Sequence, residues 1–212
     1  MIVFPTTIEE AVAAQGTIRA GGTELQERRR LPGMGGDGLV DLRDTAGLDD
    51  LRFGEGGELR IGAGRRMAEI GSHPEVRAKY PGFAEAVGGL ATPQIRAVGT
   101  MAGNLLQRTR CWYFRAPETG NRCFKRGGDT CSARAGDHLY HACFDLGRCA
   151  SVHPSTIAMA MLAYDGLVEV NPGGLRPVQV LMGDGTDPRR DNHLEAGALV
   201  TALVLPPPQV GE

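Results

Sequence analysis

The chain has 212 residues, 42% of them hydrophobic, and a formal net charge of −2. That apolar content can bury the core of one large domain or two small ones, and the charge gives no electrostatic basis for nucleic acid or an anionic membrane as main partner. No apolar run approaches the ~20 residues that span a bilayer, and Met1 to Pro5 lacks the charged and apolar regions of a signal peptide. The sequence by itself therefore predicts a cytoplasmic protein, while 31 glycines and 13 prolines predict many turns and few long helices.

Thr7 with Glu10 three positions on is the capping-box pattern and predicts a short helix that ends at Gln15-Gly16. Thr17 to Ala20 reads as a strand running into Gly21, Gly22 and Thr23, after which Glu24 to Arg30 has helical composition. Backbone N–H groups at such a turn and helix start bind phosphate, and glycine permits a close approach; an ordinary tight turn has the same sequence. Gly38 to Arg43 is a second strand, parallel to the first, so residues 1–45 predict a small βαβ unit. Leu51 to Phe53 and Glu58 to Ala63, separated by Gly54 to Gly57, predict a hairpin opening a more antiparallel region, with the boundary near residue 48.

Met67 to Ile70, Pro74 to Tyr80 and Phe83 to Leu90 predict short helices, with Arg65 and Arg66 as a solvated pair before them. Thr92 to Arg96 leads into a central segment. Beyond it, Ser155 to Tyr164 predicts a helix capped by Ser155 or Thr156, with its methionines in the core. Leu167 to Val170 and Leu199 to Leu205 predict strands joined by an extended polar loop, in which Asp184, Asp187, Arg189, Arg190 and Asp191 read as surface charge. The run Leu205-Pro-Pro-Pro reads as a domain boundary.

All five cysteines fall in one stretch, at 111, 123, 131, 143 and 149. An odd number without a secretory signal points away from a disulfide framework and toward metal, cluster or redox use; buried free thiols are the bland alternative. The spacing is not that of a zinc ribbon or a compact ferredoxin run, but a [4Fe–4S] cluster tolerates widely spaced ligands on a larger scaffold. Arg108, Arg110, Arg115, Arg122, Lys125, Arg126 and Arg148 surround the cysteines and would favour thiolates, or would meet a partner subunit. Trp112, Tyr113 and Phe114 read as a shield or an interface. His138 and His141 offer ligands for a mixed Cys/His zinc site, His153 reads as a helix-start residue, and His73 and His193 as solvent-exposed.

The ordered set Ile18 to Leu25, Ala91 to Leu105, the cysteine stretch, His153-Pro154-Ser155 and Leu199 to Pro206 resembles the FAD-binding medium subunit of the xanthine dehydrogenase or molybdenum hydroxylase family. Within it, the chain is most similar to the branch with a [4Fe–4S] cluster in an inserted loop, as in periplasmic aldehyde oxidoreductases and 4-hydroxybenzoyl-CoA reductases. The resemblance implies an α+β, PCMH-type FAD-binding domain of two lobes. Residues 1–48 would form a small βαβ lobe, and 49–208 a larger lobe with a mostly antiparallel sheet and a cluster loop at 106–150. It implies FAD on Ala20, Gly21, Gly22, Thr23, Glu24 and Leu25, with Thr100, Gly103, Asn104 and Thr156 on the flavin's other side. Cluster ligands map to Cys111, Cys123, Cys131 and Cys149, leaving Cys143 spare.

The chain departs from the family at Thr156, where Asp is usual, at Ala102 in place of glycine, and at Glu24 in place of Asp or Asn. The resemblance also leads one to expect a further C-terminal domain, on the order of 100 residues, which the 212 residues do not include. The resemblance implies electron transfer within a complex that oxidises an aldehyde or related (hetero)aromatic substrate, with a molybdopterin-binding large subunit and a [2Fe–2S] small subunit as partners. No nucleic acid or membrane enters, no residue of this chain is assigned catalysis, and co-export with a partner would place it in the periplasm. The alternative from a different class is a zinc-stabilised binding module that contacts nucleic acid or a protein.

Overall fold

Two sheets organise the computed structural model, which describes residues 1–31, 38–116, 122–144 and 147–208. Strands β1 (Ile2–Val3), β2 (Thr17–Arg19) and β3 (Leu39–Asp41) form a parallel sheet in the order β1-β3-β2, with Val40 buried at its centre. Helix α1 (Ile8–Ala13) crosses from β1 to β2 and starts at the predicted capping box: Thr7 accepts from the Glu10 amide at 3.2 Å and the Glu10 carboxylate answers to the Thr7 amide. The expectation missed β1. Two residues are too few to show an alternation, and the pairing depends on Leu39, whose amide donates to the Met1 carbonyl. Helix α2 (Leu25–Arg29) follows the glycine turn, and residues 32–37 of its crossover to β3 lie outside the described residues.

The larger sheet is antiparallel throughout, in the order β4 (Leu51–Phe53), β5 (Leu59–Gly62), β8 (Leu199–Leu205), β6 (Leu167–Asn171) and β7 (Gly174–Pro177). The α+β class and the hairpin are as the sequence predicts. Central strand β8 is buried along nearly its whole length, which is why it reads as a continuous apolar run rather than an alternation. Helices α3 (Met67–Ser72), α4 (Pro74–Lys79), α5 (Pro81–Gly88) and α10 (Thr156–Ala163) close the core around Ile61, Ile70, Phe83, Ile157, Met161 and Leu203. The Tyr80 hydroxyl donates to the Gly57 and Pro206 carbonyls at 2.9 Å each, pinning the hairpin turn to the segment after β8.

Some expectations are corrected here. The stretch after β6 is not one polar loop: β7, an exposed edge strand, and helix α11 (Val178–Met182), which buries Val178 and Leu181, occupy its first part, and both are too short to carry a periodic signal. Met161 is buried but Met159 is 49% exposed, so the methionine stripe is only half core. His73 is half-buried and caps α4, accepting from the Val76 amide at 3.4 Å, and half-buried His193 packs its ring against Gly183. Among the described residues, no helix is long and apolar enough to cross a membrane.

The largest correction is Asp191, read as surface charge, whose residue is half-buried and whose side chain is only 7% exposed. Its carboxylate accepts from Arg108 Nε at 2.6 Å and pairs with Lys125 Nζ at 2.9 Å, and that ammonium also donates to the Arg190 carbonyl at 2.6 Å. The clamp ties the segment entering the cysteine stretch, the stretch itself and the approach to β8 to one carboxylate. Burial would raise the Asp191 pKa, but Lys125 and Arg108 outweigh it and hold the group below the usual carboxylate range. Removing one member of such a buried set strands the others, so Asp191→Asn should destabilise the protein by about 3 kcal/mol. A depressed carboxylate stabilises above its unfolded value of about 3.9 and loses that contribution as pH falls through the lower folded value. Thermal melts should accordingly show a constant gap between wild type and Asp191→Asn from neutral pH to about 5, narrowing in stronger acid.

Candidate functional site

Strand β2 ends in the turn Gly21-Gly22, where Gly22 has a φ of +72°, a left-handed conformation that costs glycine little. Gly21 lies directly on the backbone of Val98 and Gly99, so a Cβ at Gly21 would collide with the Val98 carbonyl. The two glycine segments thus meet at one seam between the sheets. Behind the turn, buried Asp41 binds both Arg43 and Arg19. Burial opposes its charge, but these two guanidinium groups hold its pKa below the usual carboxylate range, fixing the end of β2. The Gln26 amide donates to the Gly22 carbonyl at 3.1 Å and Leu25 is buried, so the turn runs rigidly into α2. Ala20 is half-buried and Thr23 exposed. Glu24 keeps Oε2 3.9 Å from Arg28, while its Oε1 is buried without a hydrogen-bond partner among the described residues.

Helices α6 (Pro93–Val98) and α7 (Met101–Leu105) carry the second segment. Gly99 to Asn104 is a helix start: Thr100 caps α7, accepting from the Gly103 amide at 3.2 Å. Half-buried Asn104 accepts from the Ser155 hydroxyl at 2.8 Å, and Ser155 caps α10 by accepting from the Ala158 amide at 2.9 Å. Ser155, which the expected site set omits, is therefore the residue that joins this segment to α10, and Thr156 sits exposed beside it. Ala91, just before α6, has a φ of +47° and is held there by Arg96, which donates to the Leu90 and Ala91 carbonyls at 2.6 and 2.9 Å. Such strain persists only where the surroundings enforce it.

Cys111, Cys123, Cys131 and Cys149 line one small cavity, walled by Phe114 and Phe124, and exposed Cys143 is not part of it. Short helices α8 (Trp112–Arg115) and α9 (Ser132–Ala135) begin directly after Cys111 and Cys131. Their neighbours aim donors at sulfur. The amides of Phe114 and Tyr113 reach Cys111, those of Lys125 and Arg126 reach Cys123, and the Ala150 amide lies 3.5 Å from Cys131. Ser151 Oγ is 3.2 Å from Cys149 Sγ, and His141 Nε2 is 3.1 Å from Cys111 Sγ. Residues 117–121 and 145–146 of this loop lie outside the described residues.

Burial pushes the Cys111 and Cys123 thiols up, and the neighbouring cysteines add to it. The expected lowering by basic neighbours is not what these two thiols show, because those cations are engaged elsewhere. Arg108 binds Asp191 and stacks over Phe114, Arg115 pairs with Glu27 at 2.8 Å, and Arg148 lies over Phe124. They act as struts. Among the described residues, no three His, Cys, Asp or Glu side chains converge tightly enough to hold a single metal ion.

Residues 2–208 match the family model described as the FAD binding domain in molybdopterin dehydrogenase. The chain is similar to the aldehyde oxidoreductase FAD-binding subunit PaoB of Escherichia coli (strain K12), 36% identical over 98% of this chain and 68% of that protein. It is also 31% identical, over 48% of its length and 36% of the other's, to the nicotinate dehydrogenase FAD-subunit of Eubacterium barkeri. In fold it is similar to a chain of the reconstituted CO dehydrogenase from Oligotropha carboxidovorans, with a TM-score of 0.67 at 22% identity, covering 98% of this chain and 59% of that one. Along essentially its whole described length, then, the chain belongs to the family of FAD-binding domains of molybdopterin dehydrogenases.

Proposed function

We propose that the chain binds FAD at the seam between its glycine segments and passes electrons as the flavin subunit of a molybdenum hydroxylase complex. The observation that carries this reading is the contact of Gly21 with Val98 and Gly99, which brings two distant glycine segments to one place where any side chain would intrude. Ala20 to Leu25 would take the diphosphate of the cofactor, and Thr100, Gly103 and Asn104 would approach the flavin from α7. Ser155 sets the angle of Asn104, and exposed Thr156 stands at the same end of α10. The small lobe is residues 1–48 and the larger lobe 49–208, with FAD between them.

The cavity of Cys111, Cys123, Cys131 and Cys149 would hold a [4Fe–4S] cluster within the loop 106–150. In a cubane each thiolate binds a different iron, so the sulfurs need surround a cavity only; a single zinc needs four donors at about 2.3 Å from one point. The lining of one cavity by these four cysteines and the exclusion of Cys143 support the reading of a four-thiolate site. When bound, flavin and cluster supply the electron-transfer chemistry, and the chain positions them. Its partners would be a molybdopterin-binding large subunit and a [2Fe–2S] small subunit. An aldehyde or related (hetero)aromatic compound, oxidised on the large subunit, fits the activities named for the relatives.

Anaerobically purified protein should show flavin bands superimposed on broad thiolate-to-iron absorption; a colourless protein with stoichiometric zinc would overturn the reading. Gly21→Ala should force the seam apart, cutting FAD retention at least ~10-fold, the equivalent of about 1.4 kcal/mol, and lowering the melting temperature, as measured by released flavin per chain and thermal melts. Cys131→Ser should lower iron per chain while Cys143→Ser leaves it unchanged, as measured by iron analysis, and the reverse result would shift the ligand assignment.

A further inference from the structure

His141 lies outside the four-thiol set, yet its Nε2 is 3.1 Å from Cys111 Sγ. The ring is held on several sides: it meets Trp112 edge-on at 5.2 Å and 78°, and Tyr113 at 6.1 Å. Both aromatics belong to α8, the helix that Cys111 begins. The His141 amide donates to the His138 carbonyl at 3.0 Å, which closes the turn that carries the ring. His138, by contrast, points its Nδ1 at the Gly136 carbonyl at 3.0 Å and is exposed, so of the two histidines it is His141 that touches a cysteine of the cavity among the described residues.

We propose that His141 is a positioning residue for Cys111, donating Nε2–H to the ligating sulfur and raising the reduction potential of the cluster. The inference rests on the cluster reading above. The tautomer follows from the ring's surroundings: among the described residues Nδ1 is buried without a hydrogen-bond partner, while Nε2 has sulfur within reach. A proton on Nδ1 would be an orphaned buried donor, whereas on Nε2 it is satisfied. A ring nitrogen committed to sulfur in this way leaves the thiolates as the ligands. A hydrogen bond to sulfur withdraws charge from the ligand and stabilises the more negative, reduced cluster, so the potential rises. The amides of Phe114 and Tyr113 lie on the same sulfur.

The test is a redox titration of the full chain, reconstituted anaerobically with iron and sulfide and followed by electron paramagnetic resonance, with iron and FAD content measured on the same samples. His141→Phe keeps the aromatic packing and removes the donor, His141→Leu removes it with a different filling, and His141→Gln restores an N–H. The expected result is wild-type iron content in all three, a downward shift in potential for Phe and Leu, and partial return for Gln. Wild-type potentials in Phe and Leu would overturn the proposal, and so would loss of iron with FAD retained, which would make His141 a ligand. A wild-type protein with no iron–sulfur signal would overturn the cluster reading itself, before any variant is compared.

Discussion

The backbone-to-backbone approach of Gly21 and Val98 is the constraint on which the arrangement of this molecule depends. It is the place where the small parallel sheet reaches the helices of the large one without a side chain between them. Asp41, with Arg19 and Arg43, holds the end of β2 there from one side. Met67 holds the other, its amide donating to the Gly99 carbonyl at 3.0 Å. A larger residue at Gly21 would have to displace peptide units, which cannot swing aside as a flexible side chain can, so the seam is either closely matched or open.

The cysteine stretch obeys a different physics. It has little regular structure, and what orders it is a set of charged and aromatic struts reaching out to the scaffold. Arg115 reaches to Glu27 on α2, Arg108 and Lys125 to Asp191, and Arg108 and Arg148 also cover Phe114 and Phe124. The same burial that orders the cavity disfavours free thiolates at Cys111 and Cys123. Metal binding must displace those protons, so an iron-loaded state would recover in coordination what desolvation takes from the free thiols.

What the sequence discloses and what it hides divides by range. The Thr7–Glu10 box, the β4–β5 hairpin and the Ser155 cap are legible because each is complete within a few residues. The glycine segments were recognisable as a pair, but their contact was not. Asp191 looks like surface charge because its partner Arg108 is 83 residues upstream. His141 and Cys111, 30 residues apart, carry no local pattern either; only the concentration of Cys, His and aromatic residues in one stretch hinted at a joint role.

The Asp191 clamp also bears on the order in which the protein is made. Lys125, two residues from Cys123, gains its carboxylate partner only when the chain has been synthesised past residue 191. Domains form as their sequence emerges, N-terminal parts first, so the two sheets' early strands and the cysteines themselves leave the ribosome well before that anchor does. A nascent chain ending short of β8 would present Cys123 on a loop still lacking its tether, and would lack the central strand of the larger sheet as well. Ordering of the cysteine cavity is in this way coupled to completion of the domain.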